Sequence, residues 1–222
     1  MNPGIIAFIV IYCVTLCCYF YTETTGNLKL RAPNKFILAL MFFIFGTYMA
    51  FNNGGFNPYL FTAALFLAML GDIFLLFSYN RGGDFFLCGN VCFITYEILL
   101  LTTIGNSHID TFWWVLLIIP ALWFTFFILF KKFPNYFKMA KMKWPMLFYL
   151  STIIGNGIFG VAVMAYVPKY FLFGLGMFIF MLSDFDITFH KFVYPGNKWV
   201  HRLNSALYFT GMLIAVLNFA LM

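Results

Sequence analysis

Long apolar stretches recur along nearly the whole chain, separated by short polar or glycine-containing breaks. The runs lie near residues 3–22, 35–51, 57–78, 85–103, 111–130, 144–166, 169–189 and 203–221. A helix crossing the ~30 Å hydrocarbon layer needs about 20 mostly apolar residues. Each run is therefore predicted as one membrane-spanning helix, and the fold class as all-α, a polytopic membrane protein of about eight helices in one bundle. The breaks carry turn chemistry or charge: Glu23 to Asn34, Asn52-Asn53-Gly54-Gly55, Asn80-Arg81-Gly82-Gly83, Gly105-Asn106, Lys131 to Lys143, Pro168, and Pro195-Gly196. The first run lacks a basic leading segment and a cleavage signature, so it is read as a retained span.

Composition removes the soluble alternatives. Apolar residues make up 64% of the chain and charged residues 9%, whereas a soluble domain carries roughly a quarter of its residues charged. One transmembrane domain over residues 1–222 is expected, with no soluble domain of any size. The net charge of +6 invites a nucleic-acid reading, but its placement gives a better one. With loops numbered from the N-terminus, the odd loops hold Lys29, Arg31, Lys35, Arg81, Lys131, Lys132, Lys138, Lys141, Lys143, Lys191, Lys198 and Arg202. The even loops hold only Lys169. By the positive-inside rule the odd loops face the cytoplasm and both termini face away from it. This fits either a bacterial inner membrane or the endoplasmic reticulum. The partners expected are membrane lipids and no nucleic acid. Cys13, Cys17, Cys18, Cys88 and Cys92 all fall inside apolar runs and read as small helix residues, neither disulfides nor metal ligands.

A short repeat singles out two acids. Met69-Leu70-Gly71-Asp72 in the third span recurs as Met181-Leu182-Ser183-Asp184 in the seventh, half the chain further on and in the same direction. Two parallel four-helix halves would put the copies on equivalent helices, with both carboxyls at one shallow depth and able to pair. Glu97 is a third acid inside a span, nearer mid-membrane. An ionisable group in hydrocarbon is costly and marks a functional position. Polar and small residues continue the pattern at helical spacing: Ala64, Ala68 and Asp72; Asn90 and Glu97; Asn156 among glycines; Asn204, Tyr208, Gly211, Ala215 and Asn218. A bundle with a polar interior open toward the cytoplasmic leaflet follows.

Two carboxyls in a low dielectric can divide into one neutral acid and one carboxylate, a general acid beside a general base. That arrangement suits hydrolysis through an oxocarbenium ion, and suits proton-coupled transport with Asp72, Glu97 and Asp184 as a relay equally well. A zinc site is the weaker enzymatic alternative, because His190 and His201 lie on the cytoplasmic side while His108 falls in an outer loop. No metal or cofactor is expected.

The residues Leu70-Gly71-Asp72, Gly89 with Phe93 and Glu97, Pro145 with Tyr149, Phe180-Met181-Leu182-Ser183-Asp184, and Tyr208 with Leu213-Ile214-Ala215 resemble the lysoplasmalogenase (YhhN-like) family of membrane proteins. The resemblance runs from about residue 30 to the C-terminus. It implies hydrolysis of the vinyl ether bond of lysoplasmalogens to a fatty aldehyde and a glycerophospho-ethanolamine or -choline, with Asp72 and Asp184 as the catalytic pair. It further implies a lysophospholipid entering from the cytoplasmic leaflet. Lys35 is then a candidate for the lipid phosphate, and Asn90, Glu97, Tyr149, Ser183 and Tyr208 line the substrate. Glu97 stands where the family pattern has a His, and Met212 near where it has a Gln.

Overall fold

The apolar runs do form helices, and most of the helices outlast the runs. In the computed structural model, residues 3–25, 28–53, 56–81, 83–105, 114–132, 143–192 and 198–221 are described. Among them are eight α-helices and no strand: α1 Pro3–Thr25, α2 Leu28–Asn53, α3 Pro58–Arg81, α4 Gly83–Gly105, α5 Val115–Lys132, α6 Lys143–Tyr166, α7 Phe171–Phe192 and α8 Lys198–Ala220. All but α5 are long and apolar enough over their described residues to cross a membrane. α5 is apolar throughout and closes on Lys131 and Lys132. Asn106, His108, Lys138, Lys141 and the Pro195-Gly196 break lie outside the described residues, as do the side chains of Arg81, Pro145, His190 and His201.

One connection departs from the pattern. The break expected from Glu23 to Asn34 is mostly helical: α1 reaches Thr25 and α2 already starts at Leu28, carrying Pro33 inside it. Proline there forfeits one hydrogen bond of the opening turns. An ion pair between Arg31 Nη2 and Glu23 Oε1 at 3.3 Å closes the short connection. The break at Pro168 is as tight as expected. Pro168–Tyr170 makes a single 3₁₀ turn, with the Tyr170 N–H donating to Val167 O, and α7 follows directly. Proline suits such a turn because its fixed φ begins a helix and its missing N–H is not needed there.

The chain falls into two compact units, Met1–Leu100 with Val216–Met222, and Leu101–Ala215. In the first, α1 packs on α2 and α2 on α3. Phe8 stacks on Phe45 at 3.7 Å between ring centroids, and Phe56, Phe61 and Phe219 meet edge to face. In the second, α5 packs on α6 and α6 on α7. A Cβ at Gly160 would come within 2.6 Å of Gly174 O, so the backbones of α6 and α7 approach as closely as small residues permit. The outward faces remain apolar: Val10, Ile11 and Val14 on α1, Ile44 and Tyr48 on α2, and Leu117 and Phe124 on α5 are all exposed. Cys13, Cys17, Cys18 and Cys88 share that exposure. In water such a surface would aggregate; acyl chains cover it.

Candidate functional site

In the first unit the sequence of α3 dictates how its acid is held. Gly71 has no side chain, so the ring of Phe93 from α4 settles against it; a Cβ there would lie 2.8 Å from the ring. Gly89 of α4 approaches Leu75 and the Gly71 carbonyl in the same way. Asp72, next in sequence, is 2% exposed, and its Oδ1 accepts from Lys35 Nζ of α2 at 2.8 Å. The ion pair gives a carboxylate that water cannot reach a direct counter-charge. The ammonium expected at a lipid phosphate is thus engaged with the aspartate.

Three other polar groups are buried in the same unit. Tyr12 of α1 is fully buried and within electrostatic reach of Asp72. On α4, Asn90 and Glu97 are 3% and 1% exposed. The Nδ2 of Asn90 is a buried donor with no partner among the described residues. Glu97 lies one turn beyond Phe93, on the helix that closes over Gly71.

In the second unit the matching motif is held differently. Asp184 of α7 is 1% exposed. Its neighbour Ser183 is tied to Asn204 of α8: the Ser183 hydroxyl donates to Asn204 O at 3.2 Å, while Asn204 Nδ2 donates to Ser183 O at 2.6 Å and reaches Ser183 Oγ at 3.0 Å. One turn earlier, Phe180 packs on Tyr208 at 5.3 Å between ring centroids. Tyr149 and Asn156 of α6 are each 1% exposed. Ser183, expected on the substrate, has its hydroxyl and carbonyl taken up by the α7–α8 contact. Gly176 lets α8 approach further along: a Cβ there would meet Ala215 N and Gly211 O, each at 2.6 Å.

The structure therefore brings Lys35 together with Asp72, and Ser183 together with Asn204, each within one unit. Among the described residues no group of three His, Cys, Asp or Glu side chains is arranged to hold a metal ion.

One constellation escaped the sequence reading. The Tyr19 hydroxyl donates to Glu23 Oε1 at 2.7 Å, and the same oxygen meets Arg31. A signal for α1 was present, since Ile5, Tyr12 and Tyr19 recur at intervals of seven and are all buried. Tyrosines on the buried side of a span need hydrogen-bonding partners, and their spacing marked that side.

Eight apolar helices with buried carboxyls among polar neighbours define a polytopic helical membrane protein with a candidate intramembrane polar site. The chain belongs to the YhhN family, whose model matches residues 30–218. Comparison with curated proteins gave no match, and comparison with solved structures gave none either. The match takes in Lys35, Asp72, Glu97, Asp184 and Tyr208, while α1 with Tyr12 and Tyr19 lies before it.

Proposed function

We propose that the chain is a membrane hydrolase that cleaves the vinyl ether bond of lysoplasmalogens, with Asp72 and Asp184 as its carboxyl groups. The observation that carries this reading is Asp72, buried in α3 and ion-paired with Lys35 at 2.8 Å within a chain of the YhhN family. A buried carboxylate held in place by an ion pair is suited to stabilising a cation that forms during reaction.

In the reaction, Asp184 as the neutral acid transfers its proton to the β-carbon of the vinyl ether. The carbon–carbon double bond gives up its electron pair to that proton, and the oxygen lone pair completes an oxocarbenium ion, whose charge the Asp72 carboxylate offsets. Water adds to the cationic carbon and passes a proton to a carboxylate. The resulting hemiacetal breaks its bond to glycerol, giving the aldehyde and a glycerophospho-alcohol. One water is consumed, both acids return to their starting forms, and the chemistry requires no metal. The substrate enters from the cytoplasmic leaflet, with its headgroup at the basic rim to which Arg81 belongs. The odd loops are cytoplasmic and the termini lie on the other side.

A second reading draws on Glu97, which is buried on α4. Asp72, Glu97 and Asp184 would then pass protons in a small coupled transporter. The two readings separate in one preparation. Detergent-purified protein is supplied with lysoplasmalogens of both common headgroups and assayed for aldehyde, and the same protein in liposomes is assayed for proton flux. Aldehyde release without flux supports the hydrolase. Flux without aldehyde overturns it.

A further inference from the structure

α2 carries two cations one turn apart, Arg31 and Lys35, and each is committed to an acid on a different neighbouring helix. Arg31 reaches back to Glu23 of α1 at 3.3 Å, and Lys35 reaches to Asp72 of α3 at 2.8 Å. Like charges at i,i+4 on a helix repel, so each is stabilised by an anion of its own. The two pairs are equally shielded, with the cation's side chain 15% exposed and the acid's 3% in both. The acid is the less exposed member each time, and the cation is its counter-charge. Tyr12 and Glu97, two further buried titratable groups of this unit, carry no positive charge.

We propose that Lys35 is the positioning residue of Asp72. It orients the carboxylate toward the reacting carbon and acts through that carboxylate, rather than serving as the ligand of the lipid phosphate. The inference rests on the vinyl ether hydrolase reading and assigns to one of its residues a different task from the one the family resemblance implies. An ammonium that grips Asp72 matters to the chemical step whatever the headgroup. An ammonium that grips phosphate matters only when a phosphate is present.

The test compares two substrates in detergent-purified protein: a lysoplasmalogen, and a 1-alkenylglycerol that keeps the vinyl ether and lacks the phosphate. Lys35→Met is expected to lower kcat by about a hundredfold or more on both, with KM moving by less than about threefold. Lys35→Arg is expected to recover much of the loss, as is ethylammonium added to Lys35→Ala. Arg31→Met serves as the structural comparison: it lowers the melting temperature while kcat on both substrates stays within about twofold, because its partner is Glu23. Unchanged turnover of 1-alkenylglycerol by Lys35→Met, with a raised KM for the lysoplasmalogen alone, overturns the proposal and returns Lys35 to the phosphate. If wild type turns over neither substrate, the vinyl ether reading falls, and the pairing is then judged by thermal unfolding. Lys35→Met is expected to be destabilised and Lys35→Met/Asp72→Asn to regain most of the loss. Failure to regain it overturns Lys35 as the partner of Asp72.

Discussion

Two copies of one short motif, Met-Leu-Gly-Asp in α3 and Met-Leu-Ser-Asp in α7, hold equally buried aspartates in different ways. In α3 the residue before the acid is Gly71, which admits the Phe93 ring and leaves Asp72 to a cation from α2. In α7 it is Ser183, which forms a reciprocal hydrogen-bonded contact with Asn204 of α8. Asp72 thus pairs with a cation from α2, while the residue before Asp184 is fixed by a polar contact between α7 and α8. The lesson is that the residue preceding the acid decides how a neighbouring helix meets it: glycine admits a ring of α4, and serine makes a hydrogen-bonded contact with α8.

The comparison can be broken at several points. Asp72→Asn and Asp184→Asn, each checked for folding by its melting curve, are expected to lower aldehyde release by about a thousandfold or more, as loss of an acid or base group does. A smaller effect comes from Gly176→Ala, whose new methyl meets the backbone of α8 at Gly211 and Ala215. Because backbone cannot step aside, a loss of about 2–3 kcal/mol is expected in equilibrium unfolding. Gly71→Ser, which gives α3 the α7 sequence, presses on the Phe93 ring, a side chain able to shift. About 1–2 kcal/mol is expected there, with activity falling because α4 is displaced beside Asp72. The converse, Ser183→Gly, removes the hydroxyl that donates to Asn204 but keeps the carbonyl that accepts from it. About 1 kcal/mol is expected, from a lost hydrogen bond within a membrane and added glycine freedom in a helix.

The spans were legible in the sequence because bilayer thickness sets a length that hydropathy reveals directly. Their ends were less so. The segment from Leu28 to Asn34 reads as loop, with Lys29, Arg31, Pro33 and Asn34 close together, yet it opens α2. Hydropathy marks where a chain meets hydrocarbon, and a helix extends past that point as long as its backbone bonds and a partner such as Glu23 favour it. Asp72, Asp184 and Glu97 stood out as acids in apolar runs and are all buried. What they touch was not legible. Lys35 reads as a cation at the mouth of a span, and its counter-ion is set by how α2 packs on α3. Ser183 likewise reads as a polar residue beside an acid, while its partner Asn204 sits on another helix. Tyr19 and Glu23 were passed over because a glutamate at the end of an apolar run resembles a solvated loop residue, until its partners are seen.

The most direct measurement is turnover of a lysoplasmalogen in heavy water, with the aldehyde trapped as it forms and weighed by mass spectrometry. Protonation of the vinyl carbon by a carboxyl predicts an aldehyde carrying one deuterium on the carbon next to the carbonyl, lost together with product in Asp72→Asn and Asp184→Asn. Aldehyde without that deuterium, or undiminished product from either variant, would contradict the account.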